Sequence, residues 1–553
     1  MTIAIACSSD YTDYIPEIDA PEIPIINVSF TEEEMLVLKQ MRNPGNRICI
    51  NEATEIALDA LDFFGGEIST RSGQARTIAG VTALRSEPET RMTTRSIDGN
   101  DVEIQLPDTV AFVFNFADEA GFTIVAADTR ITSPVFAFVE YGNLDLSQEI
   151  DHPGLAIFFA GLEEYIEWSI IEAEKRREAL MDGILAKVKE AAKKNAADAD
   201  DPTTRWWENQ CRGLCWMNPD RCWCACAVAQ CWCGGWCLQS PTLNVETVIL
   251  PFGPWETFSR IGPLLLVEWH QDRPFNELVR FRNCSEGSSP AGCVAVATAQ
   301  IMAFWEHPEY IGRYRMNWGL LNTFTTRSRI DQEGIPTPIW GEWPWWLSPN
   351  ERLFIDYSSR LMERIGHYVG MTYSSTGSGA PTQNAINFLR NHNYLGGERS
   401  DYNLQAVLSS LRNERPVIIE GAAIRREIRN TFLGITISTT IVYDSAHAWN
   451  IDGYLRRSRP ATLMNIWYFQ FCWGRQEVAT YFCTTLVASP TFLHNNWGWG
   501  GYFRRNDDSI GANGFFIAGA FDSNRNPVYN SSTRAGTPGN YQFRLRIFTN
   551  IRR

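Results

Sequence analysis

Apolar and polar positions follow two rhythms along the first 150 residues. Ile56, Leu58, Leu61 and Phe64 recur at helical spacing, with Asn51 as an N-cap residue type and Gly65-Gly66 as a stop. Further on, the runs 110–116, 122–126 and 135–139 are dense in β-branched and aromatic residues, and the turn-forming stretches 118–121 and 128–134 separate them. This pattern predicts an antiparallel meander packed on helices. Residues 70–106 are polar with scattered Arg and Thr and read as loop. Residues 161–200 read as one long polar helix carrying Leu162, Tyr165, Ile166, Ile170, Ile171, Ile184 and Val188, and fade into an Ala/Asp-rich linker. A Cys/Trp-rich patch follows from Trp206 to Cys237, and Pro251-Phe-Gly-Pro254 opens the last region. The predicted organisation is a leader or tether over 1–30, an α+β domain over 31–150, a linker helix and Cys/Trp-rich segment over 151–240, and a final domain over 241–553.

The chain has 553 residues, 44% hydrophobic and 20% charged, which excludes wholesale disorder and allows a large core. No run of 18 uncharged apolar residues occurs, so a transmembrane helix is not expected. The net charge of −15 is unevenly placed: residues 1–250 carry −21 and residues 251–553 carry +6. The two parts can therefore attract each other, and the weak positive charge argues against a nucleic-acid role. All lysines lie at or before Lys194.

Fourteen cysteines, eight of them from Cys211 to Cys237, suggest an oxidising compartment. That patch has no C-x-x-C pair, so a disulfide-stapled loop is favoured over a zinc site. Its place between the α+β domain and the last region suggests a clasp on an activation segment. Cys472 and Cys483 could bridge a hairpin, and Cys49 and Cys284 are unassigned. The start, Ala-Ile-Ala-Cys7-Ser, resembles the end of a bacterial lipoprotein signal, which makes Cys7 a candidate for a lipid anchor.

Candidate chemistry centres on three segments. In Gly292-Cys293-Val-Ala-Val-Ala-Thr-Ala-Gln-Ile-Met302 the small apolar run predicts a buried helix with Cys293 at its N-terminus, where the dipole and free N–H groups favour a thiolate. Taken alone, Cys293 reads as an ordinary buried cysteine. Of seven histidines, His447 has the best context, on a strand with small neighbours in Ser445-Ala-His447-Ala-Trp-Asn-Ile-Asp452-Gly. In Asn496-Trp497-Gly-Trp-Gly-Gly501 an amide can orient an imidazole and an indole can shield that contact.

Together these segments resemble the streptopain-like cysteine peptidases, a bacterial family. So do Gly262-Pro-Leu-Leu265, Trp269-His-Gln271-Asp-Arg-Pro274-Phe-Asn276, Arg415-Pro-Val417 and Asn513-Gly-Phe-Phe516. In the front half, Val113-Phe-Asn115-Phe, residues 121–128 and residues 134–142 resemble the family's propeptide. The resemblance implies an α+β architecture, with a papain-like two-lobed cysteine peptidase domain preceded by a small α+β propeptide domain with an antiparallel sheet. It also implies a zymogen of a cysteine endopeptidase, secreted or at the surface of a bacterium, that acts on protein or peptide substrates with its own propeptide as intramolecular inhibitor. Neither metal nor cofactor is implied.

Carried over by position, Cys293 is the nucleophile with a depressed pKa, and His447 the base and later acid. Gln271 and the Cys293 N–H form the oxyanion hole, Asn496 orients His447 and Trp497 covers that contact. His447 and Asn496 stand 49 residues apart, which implies an insertion between Leu455 and Thr491. Two other readings use the same residues. One is a transglutaminase-like acyl transferase, which the Asn-Trp-Gly run argues against. The other is a catalytically silent surface binding protein, against which the intact Cys293, His447 and Gln271 argue.

Overall fold

The computed structural model describes residues 31, 34, 37, 46–65, 76–85, 92–97, 100–105, 107–146, 153–198, 242–249, 254–279, 289–323, 347–374, 377–432, 435–471, 474–499, 513–522 and 545–553. The expectations for Cys7, the Cys211–Cys237 patch, Cys284 and Cys472 lie outside them, and of Cys483 only the backbone is described. The chain forms two compact units. The larger comprises Lys39–Glu178, Gly253–Arg459 and Leu486–Arg553; the smaller comprises Met1–Leu38, Ala179–Phe252 and Pro460–Thr485.

In the larger unit, helix α1 (Ile50–Gly65) buries Ala53, Ala57, Ala60, Phe63 and Phe64, while Leu58 is 51% exposed. The expected helix is present, but its inner face is alanine rather than leucine. Small side chains let it lie close on the strands behind it. Residues 70–106, read as loop, contain three strands: β1 (Ile78–Arg85) and the hairpin β2 (Met92–Ile97) and β3 (Asn100–Gln105). β1 pairs antiparallel with β4 (Thr109–Phe116) and is largely solvent-facing, so no apolar alternation marks it in the sequence. β5 (Phe122–Ala126) and β6 (Val135–Val139) complete the meander where the sequence places it. Helix α2 (Pro153–Asp198) starts earlier than read and buries Leu155, Ile157, Phe158, Leu162, Tyr165 and Ile166.

Strand β7 (Thr242–Ile249) lies in the smaller unit and β8 (Glu256–Ile261) in the larger. Helix α3 (Cys293–Trp305) is buried from Cys293 to Ala303, which explains its small residues. The β9 (Tyr310–Ile311)–β10 (Tyr314–Arg315) hairpin and α4 (Trp318–Thr323) follow it. Helix α5 (Pro349–Val369) opens on a reciprocal Ser348–Glu351 capping box and ends at Gly370 in the left-handed conformation. After the β11 (Thr372–Tyr373)–β12 (Ser378–Gly379) hairpin comes α6 (Thr382–Asn391), and α3, α5 and α6 share one apolar core.

The remaining elements are β13 (Glu398–Asp401), α7 (Leu404–Arg412), β14 (Val417–Phe432), β15 (Ile435–Phe471), β16 (Gly474–Ala488), β17 (Phe492–Asn496), β18 (Gly514–Ile517) and β19 (Arg546–Thr549). One antiparallel sheet runs β1-β4-β5-β6-β18-β17-β15-β14-β19-β13. Its front-half strands join its back-half strands where β6 pairs with β18, Phe138 opposite Phe515.

The 49-residue spacing of His447 and Asn496 follows from the course of β15. β15 pairs with β17 only as far as Leu455 opposite Phe492. The chain between them runs out through the distal part of β15 and back along β16. Within the smaller unit that distal part pairs with β7, Leu463 opposite Ile249. The same unit holds a Lys187–Glu34 ion pair at 2.7 Å. Among the described residues no helix is long and apolar enough to cross a membrane.

Candidate active site

Cys293 is the first residue of α3. Gly292 before it has φ +94°, and a β-carbon there would lie 2.7 Å from Met371 Sδ, so the turn needs glycine both for its conformation and for space. The Gln271 carbonyl accepts the Ala291 N–H at 2.7 Å and fixes buried Gln271 beside that turn. The backbone N–H groups of Ala448, Val294 and Cys293 itself lie close enough to the Cys293 thiol to favour its thiolate. Ala448 follows His447 on β15, so the strand that carries the base candidate passes the nucleophile candidate.

The expected depressed thiol pKa is not what this form holds. Burial pushes the Cys293 thiol up and outweighs the three N–H groups that pull it down. Burial likewise pushes His447 down to about 4, against a hydrogen bond to Trp497 that raises it. Burial thus favours the neutral form of both thiol and imidazole.

The imidazole of His447 is held by a backbone group. Its Nε2 lies 2.8 Å from the Trp497 carbonyl. A carbonyl only accepts, so Nε2 carries the proton and Nδ1 is the basic atom. The ring stacks on Trp449, with centroids 5.8 Å apart and planes within 11°.

The expected direct contact from Asn496 to His447 is replaced by a relay. Asn496 Oδ1 accepts from Gln300 Nε2 at 3.0 Å and from the Gly498 N–H at 3.3 Å, while its Nδ2 donates to the Val267 carbonyl at 3.0 Å. Trp497 presents its carbonyl to His447, and its indole is buried against Trp449 and Phe516. The reason is geometric. Asn450 of β15 stands opposite Asn496 of β17, and the Asn496 amide is taken up by the α3 helix through Gln300.

Sequence reasoning assigned no role to Gln300 or to the side chain of Asn513. Asn450 Nδ2 donates to Gln300 Oε1 at 2.8 Å and to the Ala297 carbonyl at 3.1 Å. Asn513 Oδ1 accepts the Trp497 N–H at 2.9 Å. The available signal was Gln300 itself, a polar residue in an apolar helix, two turns from Cys293 and on the same face.

His494 was also passed over. It is buried on β17, with Nδ1 2.6 Å from Asp452 Oδ1 and Nε2 3.4 Å from Glu140 Oε1. Burial alone would lower its pKa, but the two carboxylates outweigh burial and raise it to about 10. Glu140 comes from the front half, so this charge cluster ties the two halves together.

Other front-half contacts reach the same region. A β-carbon at Gly154 would lie 2.3 Å from the Trp497 indole, so α2 begins directly on the residue that holds His447. Phe158 meets Phe516 edge-on at 4.8 Å, and Phe64 meets Phe492 at 5.1 Å. Asp59 accepts from Arg459 at 2.6 Å and from the Trp255 indole N–H at 3.3 Å.

Comparisons with known proteins match two separate parts of the chain. Residues 51–166 match the family model of Spi protease inhibitors, and residues 269–505 match that of the Peptidase C10 family. No curated protein matches the chain. Over residues 269–505 the chain is thus a member of the peptidase C10, or streptopain, family, and it carries its own propeptide-type inhibitor domain at residues 51–166.

Proposed function

We propose that the chain is the zymogen of a cysteine endopeptidase with a two-lobed papain-like catalytic domain, exported by a bacterium. His447, held at Nε2 by the Trp497 carbonyl beside the Cys293 thiol, carries this reading. Once the front half leaves, Nδ1 of His447 takes the thiol proton and Sγ attacks the peptide carbonyl carbon. The developing oxyanion is met by Gln271 and the Cys293 N–H. His447 returns the proton to the leaving amine, and a thioacyl-enzyme remains. Water, deprotonated by Nδ1, then releases the carboxylic acid and frees the thiol. Trp497 holds the base, and Asn496 supports Trp497.

Latency has a physical basis in the closed form. Both reacting groups are buried, and burial disfavours the thiolate–imidazolium pair that chemistry needs. Export is supported by the cysteine usage, and a surface anchor at Cys7 by the signal-like start.

The test is labelling with an epoxysuccinyl inhibitor after the front half is released. A single adduct on Cys293, with loss of peptide hydrolysis, is expected. An adduct elsewhere, or hydrolysis surviving full labelling of Cys293, would refute the assignment.

A further inference from the structure

The backbone of Trp497 is held at two successive peptide groups by asparagine side chains. On its amino side, Asn513 Oδ1 accepts the Trp497 N–H at 2.9 Å. On its carboxyl side, Asn496 Oδ1 accepts the Gly498 N–H at 3.3 Å. Between these two bonds stands the carbonyl that accepts His447 Nε2 at 2.8 Å. Asn513 and Asn496 are both at most 1% exposed, so neither bond is shared with solvent.

Each arm is itself braced. Asn513 Nδ2 donates to Glu268 Oε1 at 3.3 Å. Asn496 Oδ1 also receives Gln300 Nε2 at 3.0 Å, and Gln300 is anchored through Asn450 Nδ2 at 2.8 Å. Gln300 lies on the helix that begins at Cys293, so this arm links the nucleophile's helix to the strands that carry the base.

We propose that Asn513 and Gln300 are positioning residues of the catalytic pair: Asn513 at the Trp497 N–H, and Gln300 through Asn496 at the Gly498 N–H, fix the two peptide groups flanking the Trp497 Cα so that the Trp497 carbonyl locks His447 in the Nε2–H tautomer. The inference rests on the peptidase reading for its kinetic consequence, but its structural content stands apart from that reading. Loosening either arm lets the carbonyl rotate. His447 then samples both tautomers, and the fraction with a basic Nδ1 falls. A misplacement of this kind costs on the order of 100-fold in rate when it disturbs a near-attack geometry. Substrate contacts are untouched, so the loss falls on kcat rather than KM.

The test is imidazole 15N NMR on the full-length chain labelled at its seven histidines, with His447 identified by its absence in His447→Gln. It is joined to kcat and KM of the active form released from the same chain. The expected wild-type signature at neutral pH is a neutral His447 protonated at Nε2. Asn513→Leu should average the two nitrogens and lower kcat about 100-fold with KM little changed. Asn513→Asp combined with Glu268→Gln keeps an acceptor for the Trp497 N–H and a donor toward it, and should restore both readouts. Should Asn513→Leu fail to fold, the volume-conserving Gln300→Met carries the same expectation through the other arm.

An Nδ1–H signature in the wild type overturns the proposal. So does an unchanged Nε2–H signature with unchanged kcat in Asn513→Leu, or a rescue pair as impaired as Asn513→Leu. A wild-type chain that neither hydrolyses peptides nor alkylates at Cys293 after release defeats the peptidase reading instead, and the tautomer result still decides the clamp.

Discussion

Two histidines on adjacent strands are almost equally buried, yet their chemistry is opposite. His447 on β15 faces a carbonyl and an indole, and burial pushes it down to about 4. His494 on β17 lies between Asp452 and Glu140, which hold it at about 10 despite the same burial. Burial favours the neutral ring in one, and two carboxylates favour the cation in the other. Burial therefore does not decide the state of a histidine in this molecule. The partners decide: a single neutral carbonyl raises the ring too little to offset burial, whereas two carboxylates outweigh it.

The largest effect separates their roles in chemistry. His447→Ala should lower peptide hydrolysis by about 100- to 10,000-fold, the range for loss of a general base, as measured by initial rates on a released enzyme. His494→Gln should leave the chemical step largely intact, because His494 bonds Asp452 and Glu140 and makes no bond to Cys293 or His447. If His494→Gln is as damaging as His447→Ala at equal folded fraction, the division of labour fails.

The next effect concerns the contact between the halves. Glu140→Ala removes the front-half partner of a buried cation and should weaken front-half binding by about 1–3 kcal/mol. Competition between the released front half and a peptide substrate reads this directly. Equal inhibition by wild type and variant would show that the cluster serves only folding of the back half. Gly154→Val should act at a different point, by driving a side chain into the Trp497 indole and displacing the start of α2.

A pH profile sharpens the comparison further. His447 is lowered from 6.5 to about 4, so its contribution to folded, closed stability is full above 6.5 and is lost as pH falls toward 4. His494 is raised from 6.5 to about 10, so its contribution is full below 6.5 and is lost as pH rises through 10. From these two groups alone, thermal stability of the full-length chain should peak near pH 6.5. His447→Gln should flatten the acid limb and His494→Gln the alkaline limb. A profile in which either substitution flattens the other limb contradicts the assignments.

Salt should produce the smallest change. The front and back parts carry −21 and +6, and exposed charges are screened over about 8–10 Å at physiological ionic strength. The pairs that join the halves are partly or wholly buried: Arg459–Asp59 at 2.6 Å and the His494 cluster. Front-half release should therefore depend only weakly on salt, which dilution after cutting at the lysines would show.

The meander strands, the long helix and the helix behind Cys293 were legible because each carries a local apolar rhythm. β1 was not, because it is a solvent-facing edge whose order comes from pairing with β4. Cys293, His447 and Gln271 are candidates that the sequence offers through a resemblance. The orienting group was not, because a backbone carbonyl has no sequence signature; Trp497 was read for its indole, and its peptide oxygen does the holding. Asn496 was read one bond too close to His447 for the same reason. The Glu140–His494 contact joins residues 354 apart, and no local pattern could disclose it.

The central claim is that Cys293 and His447 form a reactive pair kept neutral by the closed front half. The most direct measurement is the alkylation rate of Cys293 at mildly acidic pH, mapped by mass spectrometry, in the full-length chain and after the chain is cut at its lysines and diluted. The account predicts slow labelling in the intact chain and fast, Cys293-specific labelling after release, abolished by His447→Ala. Equal rates before and after release, or a fast adduct on another cysteine, would contradict it.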